Sequence, residues 1–172
     1  MKRVKVIVSL LIVFFIVVFL FYPLPSLVLS KSDGKIVLIL PLIKGKNFSY
    51  EYLHSVQKTP VQEHFVQAPG NIILLTSTSY QSFGVGLPFL SGEGDFALKN
   101  GIFVLKNMNR KYEKITWAFM PVARQALIYK DKRYPFYKYC RPGELLELEI
   151  QNLNGASILV KSWQARKGVF DK

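Results

Sequence analysis

Ser55-Val56-Gln57-Lys58 has the S-x-x-K spacing, in which a lysine one helical turn after a serine meets its hydroxyl. Lys58-Thr59 also begins like the K-T-G of penicillin-binding enzymes. That chemistry needs the serine at a helix start. Here the four residues run into Pro60, which also stands where the glycine would be. A hairpin loop with a solvated lysine suits this context better, and a hydrolase built on Ser55 and Lys58 is the lesser alternative. His54, Glu63 and His64 are metal-ligand types, but alternation along a strand sends Glu63 and His64 to opposite faces. With two histidines and a single cysteine, Cys140, the chain lacks the usual zinc-ligand clusters. No catalytic residue, metal or cofactor is expected.

Strands must position these residues. If residues 47–55 and 61–68 form a hairpin in the register that pairs 52 with 65, His54 faces Glu63. Directly opposed Cβ atoms lie ~4.5–5.5 Å apart, and the carboxylate would orient the imidazole and favour its charged form. A slip by one residue faces His54 to Gln62 and removes the pair. A second stretch, Ser82-Phe83-Gly84-Val85-Gly86-Leu87-Pro88, combines two permissive glycines with a proline that sets the exit of a shaped loop. The hairpin and this loop together make a surface for a ligand or a partner, with His54, Ser55, Lys58, Thr59, Glu63, Ser82, Phe83, Gly84, Gly86 and Pro88 as its candidate residues.

The pairing of His54-Ser55-Val56, Lys58-Thr59-Pro60-Val61 and Glu63 with Ser82 to Pro88 resembles a small bacterial family of exported proteins classed as a domain of unknown function. The resemblance covers most of residues 35–150. It supplies no activity. It implies a setting, because members of that family tend to be encoded beside TAXI-type tripartite (TRAP) solute transporters, whose subunits become candidate partners.

The chain has 172 residues and a formal charge of +12, half of it hydrophobic. That length predicts one compact domain, and the composition excludes a disordered or low-complexity chain. Lys2, Arg3 and Lys5 precede an apolar run from Val6 to Tyr22 that only Ser9 interrupts. The run reaches the lower end of a transmembrane span, ~17 residues, and exceeds the roughly 7–15 residues of a signal-peptide core. No alanine occurs before Ala68 to make an A-x-A-like cleavage site. A retained signal anchor through residues 6–22 is therefore preferred to a cleaved, secreted form. Residues 1–30 are assigned to the anchor and a short linker, and 31–172 to the outer domain.

The basic N-terminus places that end in the cytoplasm and the rest outside the plasma membrane. Outside remain 20 basic and 11 acidic residues, a surplus suited to an anionic leaflet or wall polymer. Nucleic acid, the other usual partner of a basic chain, finds no recognition motif here. Beyond residue 30, short β-type runs recur between turn signals: 35–42, 47–55, 61–67, 71–80, 96–98, 102–105, 112–119, 125–129, 134–139, 144–151 and 157–163. Asn100-Gly101 is a type I′ hairpin signal, while residues 121–128 retain some helical propensity. About ten strands predict an all-β fold, an antiparallel β-sandwich or barrel preceded by one N-terminal transmembrane helix.

The aromatics Phe48, Tyr50 and Tyr52 read as core packing. Lys130, Lys132, Arg133 and Tyr134 lie in a basic, aromatic hairpin. It is either a solvated surface or a contact for the lipid headgroup layer. The expected function is a non-catalytic, membrane-anchored binding or accessory protein. A module binding a small organic acid near Lys58 or Arg110 is the alternative.

Overall fold

The computed structural model describes residues 2–43, 45–81 and 94–170. Helix α1 (Lys2–Phe21) holds the apolar run, and nearly all its described side chains face away from protein. Such a helix has no polar face to present to water, so hydrocarbon is the medium it suits. By length and composition it can span a membrane or act as a signal anchor.

Two antiparallel sheets follow. The first has four strands in the order β2 (Ile36–Pro41), β1 (Leu24–Lys31), β12 (Leu145–Leu153), β9 (Lys114–Ala118). The second runs β11 (Lys132–Pro135), β10 (Ala126–Tyr129), β3 (Asn47–Leu53), β4 (Pro60–Ala68), β5 (Ile72–Tyr80), β7 (Ile102–Lys106), β6 (Asp95–Lys99). The three-residue β8 (Arg110–Tyr112) also pairs with β5. The sheets pack face to face as a sandwich and no barrel closes, which decides between the two expected β architectures. Leu27, Leu29, Leu146, Leu148 and Ile150 project inward from the first sheet to meet Phe48, Tyr50, Phe65, Ile73 and Leu127 from the second. Tyr50 stacks on Trp117 with ring centroids 4.4 Å apart, joining the sheets through aromatic area.

Several features depart from the sequence reading, among them the strand expected over 134–139, which ends at Pro135 and gives way to a 3-10 turn at Phe136–Lys138. Residues 24–31, expected mainly as linker, are a strand inserted between β2 and β12, with Leu27, Val28 and Leu29 buried. The reason is alternation: Leu27 and Leu29 face the sandwich interior while Val28 packs on the outer side. The run 157–163, expected as a strand, lies in helix α2 (Gly155–Phe170). Asn154 caps that helix, its side-chain oxygen accepting from the Ser157 N–H at 2.8 Å. Ile158 then covers Val28, Ile39 and Leu153 on the outer face of the first sheet. Capping and burial override the β preference of Ile158-Leu159-Val160. The helical propensity at 121–128 is realised only as a 3-10 turn at Pro121–Ala123. The Asn100-Gly101 hairpin forms as expected, both residues having positive φ.

The register locates the two ends of the sandwich. Strand β1 starts at Leu24, three residues beyond α1, and ends at Lys31, whose ammonium meets Glu144 at 2.8 Å. Its eight residues span roughly 25 Å, so the Lys31 end is the one remote from the helix.

Candidate functional site

At that remote end the second sheet carries a cleft of ≈ 710 Å³. Its apolar walls are Tyr52, Leu53, Pro60, Phe119, Pro121 and Tyr137, and its polar groups are Glu51, Arg124, Gln125 and Arg133. Leu53 pairs with Pro60 where the 54–59 turn leaves the sheet, so that turn forms the rim.

His54 holds the turn. Only 6% exposed, it directs Nδ1 at the backbone N–H groups of Val56 (3.3 Å) and Gln57 (3.2 Å), while its own N–H donates to the Thr59 carbonyl. Nδ1 accepts in both contacts, which requires the tautomer protonated at Nε2. Lys58 sits in the left-handed region at φ 54, its N–H donating to the His54 carbonyl. Ser55 is exposed, and Ser55 to Lys58 form a turn instead of the helical start that serine–lysine chemistry needs.

The expected His54–Glu63 pair is not made. Strands β3 and β4 pair 52 with 61, four residues from the expected register, and Glu63 lies opposite Tyr50. The short turn imposes this: pairing resumes at Leu53–Pro60, leaving His54 in the turn. Glu63 instead faces the sandwich interior. Burial raises its carboxyl above the usual value of 4.5, and the Arg110 charge partly offsets this. The same burial, with Glu63 nearby, pushes the Tyr52 phenol up to about 12. His64 points to the opposite face, its ring nitrogens meeting Ser49 Oγ at 2.9 Å and Ser79 Oγ at 3.3 Å. Among the described residues no three His, Cys, Asp or Glu side chains gather as a metal site.

Sequence reasoning missed the cleft's polar centre. Gln125, buried, spans the two sheets: Nε2 donates to Tyr50 Oη (2.8 Å) and to the Ala118 carbonyl (3.1 Å), while Oε1 accepts from the Met120 N–H (2.8 Å). Arg124 follows the 3-10 turn in the left-handed region, φ 47 and ψ 36. That conformation costs a non-glycine residue about 1 kcal/mol or more. Two contacts hold it: the Arg124 N–H donates to the Pro121 carbonyl, and the Arg124 carbonyl accepts from Arg133 Nη2 at 2.6 Å. Arg133 is also bound to Glu51, Nε to Oε1 at 3.0 Å, so its charge is matched. Among the described residues no carboxylate pairs with Arg124. Nothing in the spacing of Ala123-Arg124-Gln125 announces this arrangement; the one sequence signal is a polar pair between Pro121 and an apolar strand.

The basic hairpin lies at the other end of the sandwich. Lys130 and Asp131 both have positive φ and form the β10–β11 turn, and Tyr129 Oη donates to the Pro41 carbonyl beside the start of β1. Lys130 Nζ stands 4.9 Å from the centre of the Tyr129 ring and Lys132 Nζ 5.3 Å from that of Tyr134. Arg133, expected with them as a surface cation, is exposed and also makes the Glu51 pair. The 82–88 loop, with Ser82, Phe83, Gly84, Gly86 and Pro88, lies outside the described residues.

One protein-family model, described as a domain of unknown function (DUF1850), matches residues 48–136, which contain both motifs and most of the cleft. No curated protein and no solved structure matches the chain.

Proposed function

For this chain, which belongs to the DUF1850 family, we propose a role as a membrane-anchored, extracytoplasmic, non-catalytic binding module whose cleft receives a small organic anion. The observation that carries this reading is the exposed Arg124, paired with no carboxylate among the described residues, at a cleft walled by Tyr52, Leu53, Phe119, Pro121 and Tyr137. A concave, mostly apolar site with few convergent polar groups is the usual form of a small-molecule site. An arginine fork suits a carboxylate in particular. This moves the organic-acid alternative from Lys58 and Arg110 to Arg124.

A strained residue beside a cleft also points toward function. Retention of the anchor is favoured by β1: cleavage at Ser26 or Ser30 would cut through a strand at the middle of its sheet. The likeness to a family encoded beside TRAP-type transporters supplies a destination, since a module that binds organic acids outside the membrane would suit a solute-uptake system. The 54–59 rim is then the surface offered to a transporter subunit.

The test is thermal denaturation of the full-length protein in detergent micelles with monocarboxylates of increasing apolar size. A ligand present at one hundred times its Kd stabilises by about 2.7 kcal/mol, or roughly 5–11 °C for a domain of this size. Arg124→Gln should abolish the shift. The absence of any carboxylate-dependent shift, or an equal one in Arg124→Gln, would overturn the ligand assignment. Crosslinking in the native membrane tests the transporter link separately, by whether wild type recovers transporter subunits that a folded His54→Ala variant does not.

A further inference from the structure

Helix α2 has two apolar faces, and the sandwich uses one. Ile158 and Ala165 face the first sheet. On the other side Ala156, Leu159, Val160 and Trp163 recur at i, i+3, i+4 and i+7, a continuous helical stripe. Leu159, Val160 and Trp163 are 59%, 56% and 58% exposed.

The start of the stripe lies against α1. A Cβ built on Gly155 would stand 2.5 Å from the Phe19 carbonyl oxygen, so only glycine permits this approach. From there α2 runs back along β2, with Ser162, Ala165 and Arg166 beside Val37 to Ile39. Its path therefore leads from the end of the apolar helix up the side of the sandwich.

Lengths then decide what covers the stripe. From Val6 to Phe21, α1 rises about 24 Å, short of a hydrocarbon core of ~30 Å. Arg3 and Lys5 hold the inner end at the cytoplasmic surface, so the shortfall of about 6 Å falls on the outer side. Gly155 is level with Phe19, about 3 Å below the end of α1. Rising ~1.5 Å per residue, α2 carries Leu159 and Val160 to about 3–5 Å beyond that end and Trp163 to about 9 Å. The first two fall inside the uncovered hydrocarbon, and the tryptophan falls in the headgroup layer where indoles settle. Ile43, Lys46, Lys130 and Lys132, all exposed, belong to the same end of the sandwich. That combination agrees with an anionic surface.

We propose that the outward stripe of α2 is a lipid-contacting surface that clamps the sandwich to the outer leaflet, so that the domain stands on two helices. The inference rests on the reading that α1 spans the membrane. It fixes the cleft at a set height above the bilayer, at the end of the sandwich remote from it.

The chain has two tryptophans, Trp117 in the sandwich and Trp163 on the stripe. Full-length Trp117→Phe is reconstituted into phosphatidylcholine–phosphatidylglycerol vesicles whose acyl chains are brominated near the headgroup, and compared with unbrominated vesicles. If Trp117→Phe does not fold, the Trp163 signal is obtained as wild type minus Trp163→Phe. The expected result is blue-shifted Trp163 emission that loses most of its intensity in brominated lipid, while Trp117 emission, read in Trp163→Phe, is little affected. Protein that floats with the vesicles but shows Trp163 emission as red and as weakly quenched as that of an aqueous indole would overturn the α2 assignment alone. Protein that does not float would overturn the anchor and this inference together.

Discussion

Gln125 ties the two sheets together beneath the cleft, and its loss should show as a stability defect that can be apportioned. Gln125→Ala removes three hydrogen bonds, to Tyr50 Oη, the Ala118 carbonyl and the Met120 N–H. Each contributes about 1 kcal/mol net, and partners left buried without a replacement add to the cost. A loss of about 3 kcal/mol follows, or roughly 6–12 °C in Tm at ~2–4 °C per kcal/mol. Urea denaturation of the full-length protein in micelles, followed by the fluorescence of Trp117 against Tyr50, reads this directly. Tyr50→Phe removes one acceptor and keeps the ring stack, so the Tyr50→Phe/Gln125→Ala double variant should be less destabilised than the sum of the singles by about 1 kcal/mol. Additivity within ~0.3–0.5 kcal/mol would mean that the two side chains are uncoupled. A Gln125→Ala loss below about 1 kcal/mol would refute the role of an inter-sheet tie.

Glu63 has a raised native pKa because of burial, so the native state holds its proton more tightly than the unfolded chain. Stability from this group is present below the ordinary value of 4.5 and is lost as pH rises through the native value. Glu63→Gln should therefore gain stability relative to wild type between pH 4 and pH 7, and a flat difference across that range would count against burial as the cause. His64 behaves in the opposite direction: burial lowers its pKa, so its contribution falls as pH drops below 6.5. His64→Gln should show a shallower acid limb in chemical denaturation between pH 7 and pH 5. His54→Ala removes the acceptor for two turn N–H groups and should cost about 1–2 kcal/mol, with faster amide exchange at Val56 and Gln57 than elsewhere in β3; uniform exchange would deny the turn-holding role. Gly155→Val drives a side chain into the Phe19 backbone and should separate α2 from α1, read as lost crosslinking between cysteines introduced at positions 18 and 156.

The N-terminal helix was legible because α1 obeys a local rule: an apolar run of sufficient length with a basic flank needs no tertiary information. Most strands were equally legible, since period-two alternation records which face of a sheet is buried, and Asn100-Gly101 names its own turn. Strand β1 and helix α2 were not. Pro23 and Pro25 suggested a linker, yet Leu27 and Leu29 gain enough burial between β2 and β12 to make a strand. In 157–163, the β-branched Ile158 and Val160 suggested a strand, but only the folded sheet supplies the surface of Val28, Ile39 and Leu153 that the helix covers.

The candidate site divides along the same line. The neighbours of His54 mark it in the sequence, but its role depends on register, and a shift of four residues makes the expected ion-pair partner the holder of a turn. Arg124 and Gln125 could not be read from spacing, because Gln125 acquires one partner from β3, 75 residues away in the chain, and another from β9, which belongs to the opposite sheet. The sequence by itself determined the apolar helix, the β class and most strand positions, all consequences of patterns within a few residues. Strand order, register and the cleft belong to the tertiary structure, because they arise from contacts between segments that carry no mark of one another.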